Sequence, residues 1–313
     1  MGDGEHTEAR PLPAAARFEA KIADGQIADG QIEDGQTEDG ALAGLRWARA
    51  DKPPLLYCHA TGFCASAYKQ MLQILSADFD VYALDMRGHG RTALPADPPA
   101  LRSWDVYAGD VAAFLDREDR RDWTLAGHSM GAVTAALAAR GRDDIRALKL
   151  IEPVAPPPVF AFAAKTPLWP LLSRRIPLVA QAARRRAAWP DRAAVAENYA
   201  GKALFRNWAE GVLADYLEDG LTQTAEGVRL SCDPAWEAAT FAAQANDFWG
   251  AVRRAPAPVS VLVADHPTTT AGSGARRRLR RFGAVVTATA AASHLAPLEK
   301  PGFAAQFVAG ADL

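Results

Sequence analysis

Cysteine is scarce in this 313-residue chain. Its three cysteines, Cys58, Cys64 and Cys232, cannot all pair, and none stands at a metal-ligand spacing from another. This excludes a disulfide framework and points to a reducing, cytoplasmic compartment. Surplus charge is missing too: 35 Lys and Arg against 37 Asp and Glu leave a net charge of −2. A nucleic-acid binder would carry a clear basic excess, so no nucleic acid is expected as a partner. No apolar run is long enough to span a bilayer, and the first residues lack the basic-then-apolar order of a secretory leader. Neither membrane nor export is therefore expected. The remaining composition, 49% hydrophobic and 23% charged, is ordinary for a soluble globular protein. The length allows one large α/β unit with an inserted subdomain.

The most telling segment present is Gly127-His128-Ser129-Met130-Gly131, a G-x-S-x-G run. Such a run forms a nucleophile elbow when a strand turns abruptly into a helix and lifts the serine hydroxyl out of the backbone. The turn is too tight for Cβ atoms on either side, so glycines flank it. Trp123-Thr124-Leu125-Ala126 reads as the short buried strand, and Ala132 to Arg140 as the helix. A serine hydroxyl is a poor nucleophile until a base takes its proton, so a histidine and an acid are required. Only six histidines are available. His6 lies in the polar N-terminus, His59, His89 and His128 sit in glycine-containing turns, and His266 directly precedes Pro267. His294, in a loop before a final helix, remains as the base, and it follows the serine in chain order.

Four segments together resemble the α/β-hydrolase superfamily over most of residues 45–313. Leu55-Leu56-Tyr57-Cys58-His59-Ala60-Thr61-Gly62-Phe63 looks like its strand and "H-G" oxyanion loop, and Asp85-Met86-Arg87-Gly88-His89-Gly90 like its "D-x-R-G-x-G" turn. The Ser129 elbow and the "H-x-x-P-x-E-x-P" tail from His294 to Pro301 complete the set in the family's order. The resemblance implies a capped serine hydrolase with no cofactor. One oxyanion-hole amide is expected from Met130, the residue after the nucleophile. The other, by matching to "H-G-x", comes from Thr61, although Ala60 replaces the usual glycine and leaves Gly62 or Phe63 as alternatives. His59 and His89 have no paired metal spacing and read as turn-stabilising hydrogen bonders.

The acid has two candidates. The family's late "G-x-x-D" pattern would place it at Pro267, which can orient nothing, so Asp265 qualifies only if the loop is rearranged. Glu152 ends the strand after the elbow helix, where catalytic groups collect in parallel sheets. Both stay open from sequence alone.

Strands are expected near 45–49, 54–59, 80–84, 123–127, 147–152, 258–264 and 284–289. Helices are expected near 66–77, 103–117, 130–140, 236–253, 273–282 and 301–309. This alternation predicts an α/β fold with a mostly parallel twisted sheet covered on both faces. Residues 45–154 and 237–313 would form the core. The Pro-rich, aromatic stretch 155–236 would form a helical cap that excludes water and selects substrate. Residues 1–44 hold a pentapeptide repeat, Ile22-Ala-Asp-Gly-Gln onward, read as an expanded acidic hairpin turn without catalytic consequence. Arg184-Arg185-Arg186 and the arginines from Arg276 to Arg281 read as solvated helix faces, with an anionic substrate group or acidic partner as the sharper alternative.

The expected activity is cleavage of a small-molecule carboxylic ester or lactone. Carbon–carbon hydrolysis of a diketone on the same residues is the alternative, with a non-catalytic ligand binder of the same fold behind it. Epoxide and haloalkane hydrolysis are disfavoured, because related enzymes for those reactions use aspartate where this chain has Ser129. Beyond the small-molecule substrate, a homodimer is the one partner left open.

Overall fold

The computed structural model describes residues 12–22, 25–28, 31–34 and 40–310. The rest of the N-terminal repeat lies outside the described residues. Eight strands form the central sheet: β1 (Ala16–Lys21), β2 (Ala41–Trp47), β3 (Pro54–Cys58), β4 (Asp80–Asp85), β5 (Trp123–His128), β6 (Ile145–Ile151), β7 (Val259–Ala264) and β8 (Val285–Thr289). Their order across the sheet is β1-β2-β4-β3-β5-β6-β7-β8. The six strands from β4 to β8 in that order run parallel, and β1 and β2 close one edge as an antiparallel pair. Strands β3, β4 and β5 are buried along their whole length, as strands covered on both faces must be. The chain goes from β3 to β4 on one side and then returns to β5 on the other. The sheet therefore opens a crevice at the carboxyl ends of β3 and β5, where Thr61 and Ser129 lie.

The first edge differs from expectation. A boundary at residue 44 cuts through β2, and β1 also belongs to the sheet, pairing Ala16 with Arg46 through to Lys21 with Ala41. The Ala-Leu-Ala-Gly start of β2 has weak strand propensity, which hides it from pattern reading. Phe18 on β1 supplies the missing grip by packing its ring against Tyr82 and Phe114. Within the repeat, Gly25–Ala28 and Gln31–Asp34 pair antiparallel.

Two helical expectations also need correction. The helix expected over 236–253 is two helices, Pro234–Ala242 and Phe248–Arg253. The break is held by Asn246, whose side chain accepts from the Trp104 amide at 2.7 Å and donates to the Ala243 carbonyl at 3.0 Å. Polar side-chain bonding of this kind competes with helix continuation. The segment expected over 66–77 begins as a 3-10 turn, Ala65–Tyr68, and continues as the helix Lys69–Leu75.

Residues after β6 carry short helices, among them Pro158–Ala164, Trp169–Ser173, Pro177–Ala183, Arg192–Ala200 and Val212–Asp219. They also carry a three-stranded antiparallel sheet, Ala188–Trp189, Gly227–Leu230 and Leu221–Thr224, which the reading of a helical stretch did not contain. The boundary expected at 236 falls inside the helix Pro234–Ala242. That helix packs Ala238 against Val179 and Ala182 of the inserted segment. Among the described residues, no helix is long and apolar enough to cross a membrane.

All three cysteines are free and buried. Burial pushes the Cys58 thiol up to about 12 and raises Cys64 and Cys232 as well. Ellman's reagent at pH 8 should therefore modify none of them in the native protein and all three after denaturation. Rapid labelling of the folded chain would contradict this packing.

Candidate active site

Ser129 is the first residue beyond β5, with φ 56° and ψ −115°, and the helix Met130–Ala138 starts directly after it. Non-glycine residues avoid positive φ, so the packing around the turn must hold it there. That packing is visible at the glycines. A Cβ on Gly131 would lie 2.1 Å from the Cys58 carbonyl oxygen, and one on Gly127 2.3 Å from the Gly131 carbonyl oxygen. The elbow helix thus sits directly on the end of β3, and only glycine fits between them.

His294 brings the second group, from a loop 165 residues further along the chain. Its Nε2 lies 3.2 Å from Ser129 Oγ, and its Nδ1 lies 2.9 Å from Glu152 Oε2. Glu152 is fully buried and immediately follows β6, with φ 47°. Its Oε1 accepts from the Ala264 amide at 2.5 Å and the Thr269 hydroxyl at 2.9 Å, and its Oε2 also accepts from the Thr270 amide at 3.1 Å. Burial by itself would push this carboxyl up. The hydrogen bonds from His294 and the Ala264 amide, the imidazole charge and the Thr270 amide outweigh it and hold the carboxyl below its ordinary value. Glu152 therefore stays ionised through the neutral range.

Asp265 is not brought to the site. Its side chain is 71% exposed and pairs with Arg276 at 3.3 Å. The loop that would carry an acid at Pro267 instead presents three threonines, and two of them, Thr269 and Thr270, hold Glu152. The third, Thr268, accepts the His294 amide at 3.1 Å. These roles escaped the sequence reading, which looked there for an acid; the run of threonines after Pro267 was the available signal. Glu299 was missed as well. Its carboxylate accepts from the Ser293 amide at 2.8 Å and the Ser293 hydroxyl at 2.6 Å, tying down the turn that carries His294.

Three further histidines, His59, His89 and His128, hold loops together. His59 Nε2 accepts from the Met86 amide at 2.9 Å, and His89 Nε2 accepts from the Gly62 amide at 3.1 Å. The loop after β3 is thereby locked to the turn after β4. His128 Nε2 donates to the His294 carbonyl at 2.8 Å, and its Nδ1 accepts from the Tyr68 hydroxyl at 2.8 Å. Burial, reinforced by the His294 ring, lowers His128 to about 3, so it is neutral when it makes these bonds. Among the described residues, no cluster of His, Cys, Asp and Glu could hold a metal ion.

The amides of the loop after β3 can be assigned one by one. Ala60 donates to the Tyr68 hydroxyl, Gly62 to His89 and Phe63 to the Ala60 carbonyl. That of Thr61 makes no hydrogen bond among the described residues, and Thr61 lines the same cavity as Ser129 and His294. Gly62 and Phe63 are thereby spent. Met130 is the first residue of its helix, where an amide has no acceptor within the helix.

The cavity has two lobes that meet at Ser129 and His294. One, about 680 Å³, is bounded by Trp104, Val154, Phe160 and Ile176. The other, about 490 Å³, is bounded by Phe63, Phe205, Arg185, Lys202 and Glu237. Lobes of this size suit a small organic molecule.

Residues 55–307 match the alpha/beta hydrolase family, and the chain belongs to it. A non-heme chloroperoxidase of Streptomyces lividans is 33% identical over 122 residues, 39% of this chain and 43% of that protein. A 3-oxoadipate enol-lactonase of Acinetobacter baylyi is 31% identical over 94 residues, 30% of this chain and 34% of that protein. The chain thus spans less than half the length of these curated relatives. Among solved structures, an E-2-(acetamidomethylene)succinate hydrolase superposes with a TM-score of 0.70 at 21% identity, over 93% of this chain and 97% of the other. At that identity the likeness concerns the fold.

Gly131→Ala tests the elbow. Forcing a methyl onto the Cys58 carbonyl should destabilise the protein by about 1–3 kcal/mol, the usual range for overpacking. Thermal melting followed by circular dichroism would register this as a lower Tm. An unchanged Tm would mean that the helix is not seated on β3 as described.

Proposed function

We propose that this protein is a serine hydrolase that cleaves a small-molecule carboxylic ester or lactone through an acyl-enzyme. The observation that carries the reading is the continuous relay from Ser129 Oγ through His294 to Glu152, at 3.2 and 2.9 Å. Ser129 attacks the carbonyl carbon while His294 Nε2 takes its proton. Glu152 accepts from Nδ1–H, keeping the productive tautomer and stabilising the imidazolium that forms. The amides of Met130 and Thr61 receive the developing oxyanion. Collapse of the tetrahedral intermediate expels the alkoxide, which takes the proton from His294. Water then attacks the acyl group by the same route, and Ser129 is regenerated. The Ser129–His294 separation of 3.2 Å is at the long end of hydrogen bonding, as is common before substrate binds.

Ester or lactone cleavage is favoured over amide cleavage because the intrinsic reactivity is higher, and the similarity to an enol-lactonase supports the same class. The reason to consider a non-catalytic binder was the absence of an acid at Pro267. With Glu152 on His294, that reason falls away.

Ser129→Ala should lose labelling by a fluorophosphonate probe and lower turnover of p-nitrophenyl esters by about 10⁴-fold or more. Glu152→Ala should lower kcat by about 10³- to 10⁴-fold. Asp265→Ala, an exposed change, should stay within about twofold of the parent. Equal losses for Glu152→Ala and Asp265→Ala would reject the assignment of the acid.

A further inference from the structure

The smaller lobe of the cavity carries more positive charge than its surroundings neutralise. Arg185, Arg186 and Lys202 line it together with Ser129, and one carboxylate, Glu237, faces them. Glu237 is committed. Arg185 Nη1 donates to both of its oxygens at 2.9 Å, while Nη2 donates to the hydroxyls of Tyr199 at 2.8 Å and Tyr216 at 3.3 Å. This pair is wedged against the oxyanion loop. The Tyr216 hydroxyl donates to the Gly62 carbonyl at 3.2 Å, and a Cβ on Gly62 would meet Glu237 Oε1 at 2.5 Å. Arg185 and Glu237 thus cancel as charges and serve as a strut.

Arg186 and Lys202 are then in surplus. Neither has a carboxylate within ion-pair distance among the described residues. The Lys202 ammonium sits 4.5 Å over the Tyr199 ring, and the Arg185 guanidinium lies 5.7 Å from the same ring. The Arg186 guanidinium lies 5.1 Å over Trp189. Burial, with Arg185 and Arg186 adding to it, lowers the Lys202 pKa, the response of an ammonium held among cations without its own anion. The two carboxylates between Arg186 and Lys202 in the chain do not neutralise them: Asp191 caps its own helix at the Ala194 amide, and Glu197 makes no ion pair among the described residues. Residues 153–190 contain no Asp or Glu, while Lys165, Arg174, Arg175 and the three arginines from Arg184 add to the positive field. Glu299, at the larger lobe, is engaged with Ser293, and Glu152, buried behind His294, with that ring.

We propose that this lobe binds a carboxylate of the substrate, so that the ester or lactone cleaved at Ser129 carries an acidic group away from the bond that breaks. The proposal rests on the serine-hydrolase reading above and narrows its substrate class. Lys202, over the Tyr199 ring, is the anchoring point charge, and Arg186, stacked on Trp189, raises the local potential; both are exposed at the mouth of the lobe. Arg186 is engaged with the Trp189 ring and the Ala188 carbonyl, which leaves the Lys202 ammonium as the direct partner, and a singly charged carboxylate suits it better than a phosphate monoester, which carries about −1.5 to −2 at neutral pH. The larger lobe, walled by Trp104, Val154 and Ile176, takes the apolar remainder.

Two matched pairs of esters test the idea, because the acid could stand on either side of the scissile bond. Mono-p-nitrophenyl glutarate is compared with p-nitrophenyl valerate, and 4-butyryloxybenzoate with phenyl butyrate. In at least one pair the acidic ester should have the higher kcat/KM, by about tenfold or more, as expected for a hydrogen bond to a charged group. Lys202→Gln should shrink that preference about tenfold, Lys202→Glu should reverse it, and added salt should erode it. Binding by calorimetry to the Ser129→Ala protein gives a readout that needs no turnover: monomethyl glutarate should bind more tightly than dimethyl glutarate. Neutral members preferred in both pairs, together with no tighter binding of the monoacid, would overturn the proposal. If no ester is hydrolysed but the monoacid still binds through Lys202, the hydrolase reading fails and the carboxylate site stands.

Discussion

The site depends on one histidine being held at three points at once. His294 donates its amide to Thr268 and its Nδ1–H to Glu152, and its carbonyl accepts from His128, which leaves Nε2 aimed at Ser129. Each of these partners comes from a different part of the chain. Their meeting point is the crevice at the carboxyl ends of the parallel strands, the place where an open α/β sheet leaves room for a ligand. An imidazole fastened at a single point would swing through several rotamers. With the backbone fastened on both sides and the ring at Nδ1, it keeps one orientation before substrate arrives, and preorganisation of this kind is where much catalytic power originates.

The backbone around the site is strained in a consistent way. Among the described residues, four non-glycine positions have positive φ, and two of them are Ser129 and Glu152. Such conformations cost about 1–3 kcal/mol each and persist only where the surroundings over-determine them. At Ser129 the surroundings are the glycine contacts between the elbow helix and β3. At Glu152 they are the sheet bond from its amide to Leu262 at 2.8 Å and the threonine loop that encloses its carboxylate. Strain at these points places a hydroxyl and a carboxylate on opposite sides of the same ring.

The loops beneath the cavity form a second connected layer. Tyr68 accepts from the Ala60 amide at 3.2 Å and donates to His128, which in turn holds the His294 carbonyl. The loop that presents the Thr61 amide and the loop that presents His294 are therefore linked through two buried side chains. Arg185, Tyr216 and Glu237 reach the same loop from the other side through Gly62. Under the proposed reading, the charge that would recognise a substrate thus shares its supports with the amides that would stabilise its oxyanion.

Much of this was legible along the chain. The elbow at Ser129, the loop histidine at 294, the order of the strands and the structural duty of His59 and His89 follow from local rules: tight turns demand glycine, buried strands are apolar, and a nucleophile needs a base downstream. The edge strand β1, the first residues of β2, the break at Asn246 and the small sheet that starts at Ala188 were not legible. Each depends on partners distant in sequence and on segments with weak propensity of their own. The acid shows the division most clearly. Composition and spacing admitted both Glu152 and Asp265, because each ends or follows a strand of the sheet. Only the packed chain turns Asp265 out to solvent beside Arg276 and closes Ala264, Thr269 and Thr270 around Glu152. A hydrogen-bond shell is built from three-dimensional neighbours, and no local pattern specifies it.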